Sequence, residues 1–496
     1  MKKSAQIHKA LTIFAYTVML TGMTLLLAVV FRYPQNHLIP RQMIPGVGIC
    51  VIVLLAAGAL WNKIYFLIGK RTPLYLLALA IFGVLLYITS LSRQGNENTL
   101  VDYTYVYRDA MNLATGGTLE YTDYFVTYSN NLKPMLLLSV WFRVAVLLGI
   151  SPFHFVLLRN VLLVLLVVWA CGYLTEQKGD CRWRFPILLT FAFLLPLWDM
   201  VSVFYTDSMS FGLGILTLAL LKKAGSTKTN KGKILWSVLA GVTTILAIIW
   251  KITAIIPLIA CTMILLWQRE KADRHVILSF VVSVIVFGVG LQLWANTYDV
   301  TRKAAVTANP VISWVALGMK EDGSWTNNTK LVEQMYQFST KEEKQQYCVE
   351  YIRENKADFF NAEHLRKKAS YNFANGNLGA SAFLNVEQND QTLIWEMFSP
   401  WGSYYWRTSQ LCYCYLVSVY VLLWIGMLFS LRNVIRGQNP PSLLMICQLS
   451  FIGITVFLML WEASSRQLYN QTPGILLGGV LSIDYFWKNL SIKPRK

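Results

Sequence analysis

Charge is scarce in this chain. Asp, Glu, Lys and Arg together make up 14% of its 496 residues, while 55% are hydrophobic; ordinary soluble domains carry about 25% charged residues. That shortage excludes a water-soluble globular protein. Metal-ligand spacings are missing as well. The five histidines, His8, His37, His154, His275 and His364, form no HxxxH or HxH cluster, and the eight cysteines contain no CxxC, so no zinc-type site is expected. Only Cys348 lies in the largest polar loop, which excludes an intramolecular disulfide framework there. Fixed-period repeats and low-complexity segments are also absent. Acidic residues number 26 against 44 basic ones. The basic excess sits in short loops between apolar runs, where positive charge orients membrane helices, so no nucleic-acid partner is expected.

What the chain does contain is apolar sequence in spanning lengths. Such runs lie near residues 10–31, 44–61, 73–92, 153–175, 185–204, 208–222, 232–250, 254–268, 275–296, 410–431, 442–460 and 468–487. A span needs roughly 20 such residues. Met1–Lys9 is basic and precedes the first run without a small-residue cleavage site, which predicts a retained helix. The expected fold is an all-α polytopic membrane protein, a bundle of about twelve transmembrane helices with an interfacial helix and extracytoplasmic loops. With that number, the clusters around Lys63, Lys70 and Arg71, Lys178, Arg182 and Arg184, Lys222 to Lys233, Arg269, Lys271 and Arg274, Arg432 and Arg436, and Lys488 to Lys496 share the cytoplasmic side with both termini. The count requires that Met135–Leu148, with Arg143 in its middle, lie along the interface and not cross.

The organisation follows: three helices over 1–93, a first extracytoplasmic loop with the interfacial helix over 94–152, central helices over 153–296, a large loop over 297–409, and C-terminal helices over 410–496. In the large loop, Ser339–Phe360 has helical spacing with alternating charges, and Asn372–Gly379 and Gly402 read as turns.

The polar stretch Arg93–Pro134 interrupts this apolar chain with Glu97, Asp102, Asp109, Glu120, Asp123 and six tyrosines. Its carboxylates and irregular backbone exclude contact with lipid, and its tyrosines suit stacking on sugar rings. Asp102 is a candidate active-site carboxylate or a cap for the helical stretch Tyr103–Ala114. Asp109, seven residues on, faces the same side of a helix; it holds an acceptor or metal, or pairs with Arg108 or Lys133. Asp207 in FYTDSMSF is a membrane-boundary carboxylate with no cation nearby in sequence, either functional or an N-cap. Lys251, a lone cation between two apolar runs, either meets an anionic phosphate or snorkels. Arg466 is a bidentate phosphate ligand or the partner of Glu462 four residues earlier on one helix face. Tyr469 offers a hydroxyl beside it or belongs to an aromatic belt.

The order VDYTYVYRDAMNLATGG, YFVTYSNN, FYTD and WEASSRQLYNQTP resembles the GT-C membrane glycosyltransferases of Gram-positive bacteria, related to the protein O-mannosyltransferase and aminoarabinose transferase type. The resemblance spans Asp102 to Pro473. It implies a polyprenyl-phosphate sugar donor, a cell-envelope glycopolymer or lipid-linked acceptor, and transfer at the outer face of the plasma membrane. It carries the general base to Asp102, the second acidic position to Asp207 and the late arginine to Arg466. Tyr128, Asn130, Asn131, Lys251, Glu462 and Tyr469 join Asp109 and Arg466 as the expected substrate-binding set. Related members often have an acidic pair where Asp102 is followed by Tyr103, and Pro where this chain has Ser129. No cofactor is required by this reading; a divalent metal remains an open alternative. Inversion needs one carboxylate to take the acceptor proton and cations to offset the leaving phosphate. The rival readings are a glycopolymer polymerase or ligase using a diphosphate donor, and a lipid-linked sugar flippase or transporter.

Overall fold

Lipid offers no partner to a backbone N–H or C=O, so apolar runs in this chain have to fold as helices. The computed structural model describes residues 2–68, 71–91, 102–176, 180–268, 273–383 and 392–491. Glu97 of the polar stretch, and Lys70, Lys178, Arg269, Lys271, Lys493, Arg495 and Lys496 of the basic clusters, lie outside the described residues. In chain order the helices are α1 (Lys2–Arg32), α2 (Pro40–Ile68), α3 (Thr72–Ser90), α4 (Asp102–Ala114), α5 (Thr122–Thr127), α6 (Leu132–Leu147), α7 (Pro152–Thr175) and α8 (Arg184–Ala192). Then follow α9 (Leu195–Met200), α10 (Thr206–Met209), α11 (Leu213–Ser226), α12 (Asn230–Trp250), α13 (Ile256–Gln268), α14 (Arg274–Ala295), α15 (Asp299–Thr307) and α16 (Ile312–Leu317). The chain continues through α17 (Thr329–Met335), α18 (Lys341–Glu354), α19 (Lys356–Phe359), α20 (Ala362–Phe373), α21 (Leu393–Phe398), α22 (Tyr405–Ile435), α23 (Ser442–Leu460) and α24 (Thr472–Ser491).

Among the described residues the structure is all helical, that of an integral membrane protein with several apolar helices. Eight helices among the described residues are long and apolar enough to cross a membrane: α1, α2, α3, α7, α12, α14, α22 and α23. The other expected runs are built differently. Residues 185–204 do not form one helix. They break between α8 and α9, where Pro196 sits in the first turn of α9 and pre-sets a new helix start. The nine residues of α8 rise only about 13 Å, against about 30 Å of hydrocarbon. Residues 208–222 and 254–268 give α11 of 14 residues and α13 of 13, each roughly 20 Å long. Residues 468–487 begin as a 3-10 turn, Ser465–Gln471, before α24 starts. In each case a polar connection occupies part of the expected span: Val201–Gly212, Lys251–Ile255 and Trp461–Gln471.

These connections gather at one end of the bundle. There the Tyr87 hydroxyl meets His154 Nδ1 at 2.9 Å, and Ser90 Oγ donates to the Trp198 carbonyl at 3.4 Å. The end of α3 and the starts of α7 and α9 are therefore neighbours, so α4, α5 and α6 leave and return at the same end. Arg143 of α6 is exposed. The opposite end holds the basic residues. Lys222 Nζ donates to the carbonyls of Tyr173, Leu174 and Glu176, each at 2.9 Å. Arg184 pairs with Glu176 at 2.5 Å, and Lys233 with Asp273 at 2.5 Å.

Residues between α14 and α22 build a smaller helical layer over the polar end. Its own core is Ala316, Leu317, Leu331, Val332, Met335 and Cys348. The charged run Ser339–Phe360 forms α18 and α19, started by a capping box between Thr340 and Glu343. Asn372 and Phe373, expected in a turn, end α20 instead; the turn begins at Ala374 and reaches positive φ at Leu378 and Gly379.

Candidate functional site

Tyr205, in the extended segment before α10, ties the first loop to the central helices. Its hydroxyl donates to Asp102 Oδ2 at 3.1 Å and, more weakly, to Asn131 Oδ1 at 3.5 Å. Asn131 Nδ2 in turn donates to the Tyr124 hydroxyl at 2.6 Å, and Asn130 Nδ2 to Asn131 Oδ1 at 3.2 Å. The face of the Tyr205 ring lies 5.8 Å from the Arg466 guanidinium carbon, within cation–π range. Asp102 is the first residue of α4, and its carboxylate points across the fold to a residue 103 positions away.

Behind Tyr205 the second carboxylate is fully buried. Asp207 Oδ1 is ion-paired with Lys251 Nζ, whereas Oδ2 is buried and accepts no hydrogen bond among the described residues. The expected alternative of an N-cap does not hold: Asp207 lies inside α10, and Gly212 at φ +62° precedes α11. Lys251 ends α12 in an extended conformation, and its side chain is 15% exposed. A layer of amides lies beneath: Asn470 Nδ2 donates to Thr253 Oγ1 at 2.9 Å, and Gln471 Nε2 to the Thr253 carbonyl at 2.6 Å.

Glu462 and Arg466 do not share a helix face. Glu462 lies in the non-helical segment Trp461–Ser464, and Arg466 is the second residue of the 3-10 turn Ser465–Gln471. Both side chains are partly buried beside the other charges. Burial pushes the Glu462 carboxyl up to about 7; Arg466 and Lys251 oppose the shift, Asp102 adds to it, and Lys368 opposes it. Arg466 is held above its ordinary range despite burial, by the fields of Asp207, Tyr205, Asp102 and Glu462. Asp102, Tyr205, Asp207, Lys251, Glu462 and Arg466 thus form one electrostatic cluster.

Two glycines let backbone close on this cluster. A Cβ on Gly379, at φ +75°, would fall 2.7 Å from Arg466 Cβ. One on Gly318 would fall 2.6 Å from both the Trp461 carbonyl oxygen and Lys368 Nζ. Lys368 is fully buried, donates to the Gly318 carbonyl at 2.7 Å, and is pushed down to about 7 by burial. Sequence reasoning missed Tyr205, and it places Lys368 only among five loop cations, with Arg302, Lys303, Arg366 and Lys367, open to phosphate or anionic glycopolymer contacts but usually solvated. Lys368 sits in an ordinary RKK run, and Tyr205 differs in no local feature from the other tyrosines.

The remaining candidates divide. Tyr128 lies at the cluster's edge, its hydroxyl 2.6 Å from that of Tyr336. Tyr469 is buried against Phe211, ring centroids 4.9 Å apart, so it packs instead of presenting a surface hydroxyl. Asp109 is the correction. It is fully buried, and its two oxygens accept the backbone N–H groups of Glu120 and Tyr121, each at 2.9 Å. Burial raises its pKa while those amides hold it down. It clips the Gly116–Tyr121 loop to α4 and is enclosed there. Asp109→Ala is expected to cost about 1–3 kcal/mol by stranding two amides, read as a lower unfolding midpoint in detergent, with the turnover of the folded fraction little changed.

Among the described residues no group of three or more His, Cys, Asp or Glu side chains is arranged to hold a metal. A cavity of about 1160 Å³ opens at the basic end, lined by His8, Trp267 and Asn433 among others. Its Arg182 and Lys488 are paired with Asp180 at 2.8 Å and Asp484 at 2.6 Å, and none of the clustered carboxylates reaches it.

A family model described as "Conserved hypothetical integral membrane protein" matches residues 43–487. No curated protein and no solved structure matches.

Proposed function

We propose, for a chain that belongs to this family of conserved hypothetical integral membrane proteins, an inverting glycosyltransferase of the GT-C type. It moves a monosaccharide from a polyprenyl-phosphate donor to a cell-envelope glycopolymer or lipid-linked acceptor. The observation that carries the reading is the meeting of Asp102 with Tyr205, beside Arg466 and the Asp207–Lys251 pair, at one end of the bundle. A carboxylate in reach of an outer layer and two cations recessed behind it are the two charges that glycosyl transfer from a lipid phosphate requires. In this reading about twelve helices cross, the basic end is cytoplasmic and the cluster faces outward.

Lys251 and Arg466 bind the donor phosphate, Arg466 through its planar fork. Asp102 Oδ accepts the proton of the acceptor hydroxyl. The acceptor oxygen bonds to the anomeric carbon from the face opposite the phosphate, and the bond from that carbon to the phosphate oxygen breaks. The products are an inverted glycoside, a polyprenyl phosphate and protonated Asp102. Tyr205 donates to one Asp102 oxygen and thereby orients the other. Asp207 holds Lys251 in place.

The test is transfer from a panel of radiolabelled polyprenyl-phosphate sugars by purified protein in liposomes supplied with envelope glycopolymer. Label entering the polymer supports the reading. Label crossing between leaflets without entering polymer would make the protein a flippase.

Glu462 sets the pH dependence of donor binding. Its pKa is raised, so it is mostly protonated below about 7 and ionises as pH rises through that value. Ionised Glu462 competes with the phosphate for Arg466. Donor KM is therefore expected to rise by roughly tenfold from pH 6 to 8, the scale of about 1.4 kcal/mol, and Glu462→Gln should flatten this dependence at the low-pH value. A Glu462→Gln profile that parallels wild type would reject the assignment. The same ionisation works against folding: the native state holds the proton more tightly, so Glu462's contribution to stability falls between the ordinary carboxylate range and about pH 7.

A further inference from the structure

We infer that the first loop and the outer helical layer together form a binding track for an uncharged oligosaccharide of several sugar units. The inference concerns the acceptor class, and its role as an acceptor path rests on the transfer reading above. The track begins at the candidate base. Asp102 is bonded to Tyr205, Tyr205 to Asn131, and Asn131 to the Tyr124 hydroxyl. From Tyr124 the path continues as rings. Tyr124 and Tyr128 lie 5.2 Å apart, Tyr128 and Trp325 6.1 Å, Tyr128 and Trp314 6.5 Å, and Trp314 and Trp325 6.3 Å. Tyr336 ends the path, bonded to Tyr128 and 52% exposed.

Three features point to sugar. Tyr128, Trp314 and Trp325 are all half-buried, although each is large and apolar enough to be drawn fully into the second core that Trp314 and Trp325 border. Tyr128, Trp314 and Trp325 are mutual neighbours, 6.1–6.5 Å apart, and make one aromatic patch on which the C–H faces of pyranose rings can pack, much as bases do on aromatic platforms. The exposed residues next to the rings in sequence include Ser129, Asn130 and Thr326, with Asn327 held by Asp322 at 2.8 Å; their amide and hydroxyl groups both donate and accept, as sugar hydroxyls require. Ser129, Asn130 and Thr326 put no charge beside the rings for an anionic polymer to meet, and a lipid chain would have no use for the amides. The two sides of the track are also fixed relative to each other, since Asn309 N–H donates to the Thr127 carbonyl at 3.0 Å. The fields of Asp102 and Glu462 reach the Tyr128 hydroxyl, so a chain laid on the rings would end beside the cluster.

The experiment is retention of the purified full-length protein, in nanodiscs, on an array of neutral and anionic oligosaccharides of one to six units. Neutral chains of three or more units should retain wild type better than single sugars. Trp325→Ala and Trp314→Ala should each weaken that retention at least tenfold. Trp325→Phe, which keeps a ring face, should stay within threefold of wild type and controls for folding. No retention of wild type on neutral chains, preference for anionic ones, or equal retention of the alanine variants overturns the track. The retention assay needs no transfer. Failure of transfer in liposomes with retention intact would therefore reject the enzyme reading and leave the binding site standing.

Discussion

Asp102→Asn is expected to lower the transfer rate by about 10³-fold, within the range for loss of a general base, while leaving donor-lipid binding and the unfolding midpoint nearly unchanged. The asparagine keeps an oxygen to accept from the Tyr205 hydroxyl, so the 3.1 Å contact between the first loop and the central segment survives. Only the capacity to take a proton is removed. The measurement is single-turnover transfer in liposomes with a fluorescence-based melting curve on the same preparation. A rate within tenfold of wild type would show that another group removes the proton. Tyr205→Phe separates orientation from chemistry: it leaves the carboxylate in place but frees its rotation, and a smaller fall in rate with an unchanged pH profile is the outcome that fits a positioning role.

Arg466→Gln should have the second largest effect, and on two quantities at once. Arg466 lies in the fields of Asp207, Tyr205, Asp102 and Glu462, so its removal leaves several partly desolvated carboxylates, of which Asp207 keeps its ion pair with Lys251. The expected loss of stability is about 2–3 kcal/mol, less than for a fully enclosed ion pair because Arg466 keeps some solvent access. Donor KM should rise by about 10²-fold through loss of the phosphate fork. Arg466→Lys tests the geometry: it restores the charge and most of the stability but not the bidentate contact. Recovery of both stability and donor KM in the lysine variant would show that charge alone matters at this position.

The sequence by itself determined the class of the protein and most of its long helices. Hydrophobic burial and backbone satisfaction in lipid are local demands, legible in any window of about 20 residues. So α1, α2, α3, α7, α12, α14, α22 and α23 fall where the apolar runs lie. The helical run Ser339–Phe360 was readable from local pattern too, and α18 falls within it.

Local pattern misled where two demands overlapped. Residues 185–204 are apolar enough to span, but Pro196 starts a second helix inside them, and hydropathy is blind to that break. Asp109 shares a helix face with Asp102, as its spacing requires. Yet the loop that folds back over α4 supplies two amide donors to Asp109, and nothing near Asp109 in sequence announces it.

Only the tertiary structure decided the cluster. Tyr205 meets Asp102 across 103 residues, and Lys251 meets Asp207 across 44. Lys368, from a run of charges that looks solvated, is carried wholly into the interior between Gly318 and Trp461. Asp207 and Lys251 stand out singly in apolar sequence, but nothing local names their partners. Their pairing depends on which helix ends converge, and that is set by the packing of every helix together, so no stretch of sequence encodes it alone.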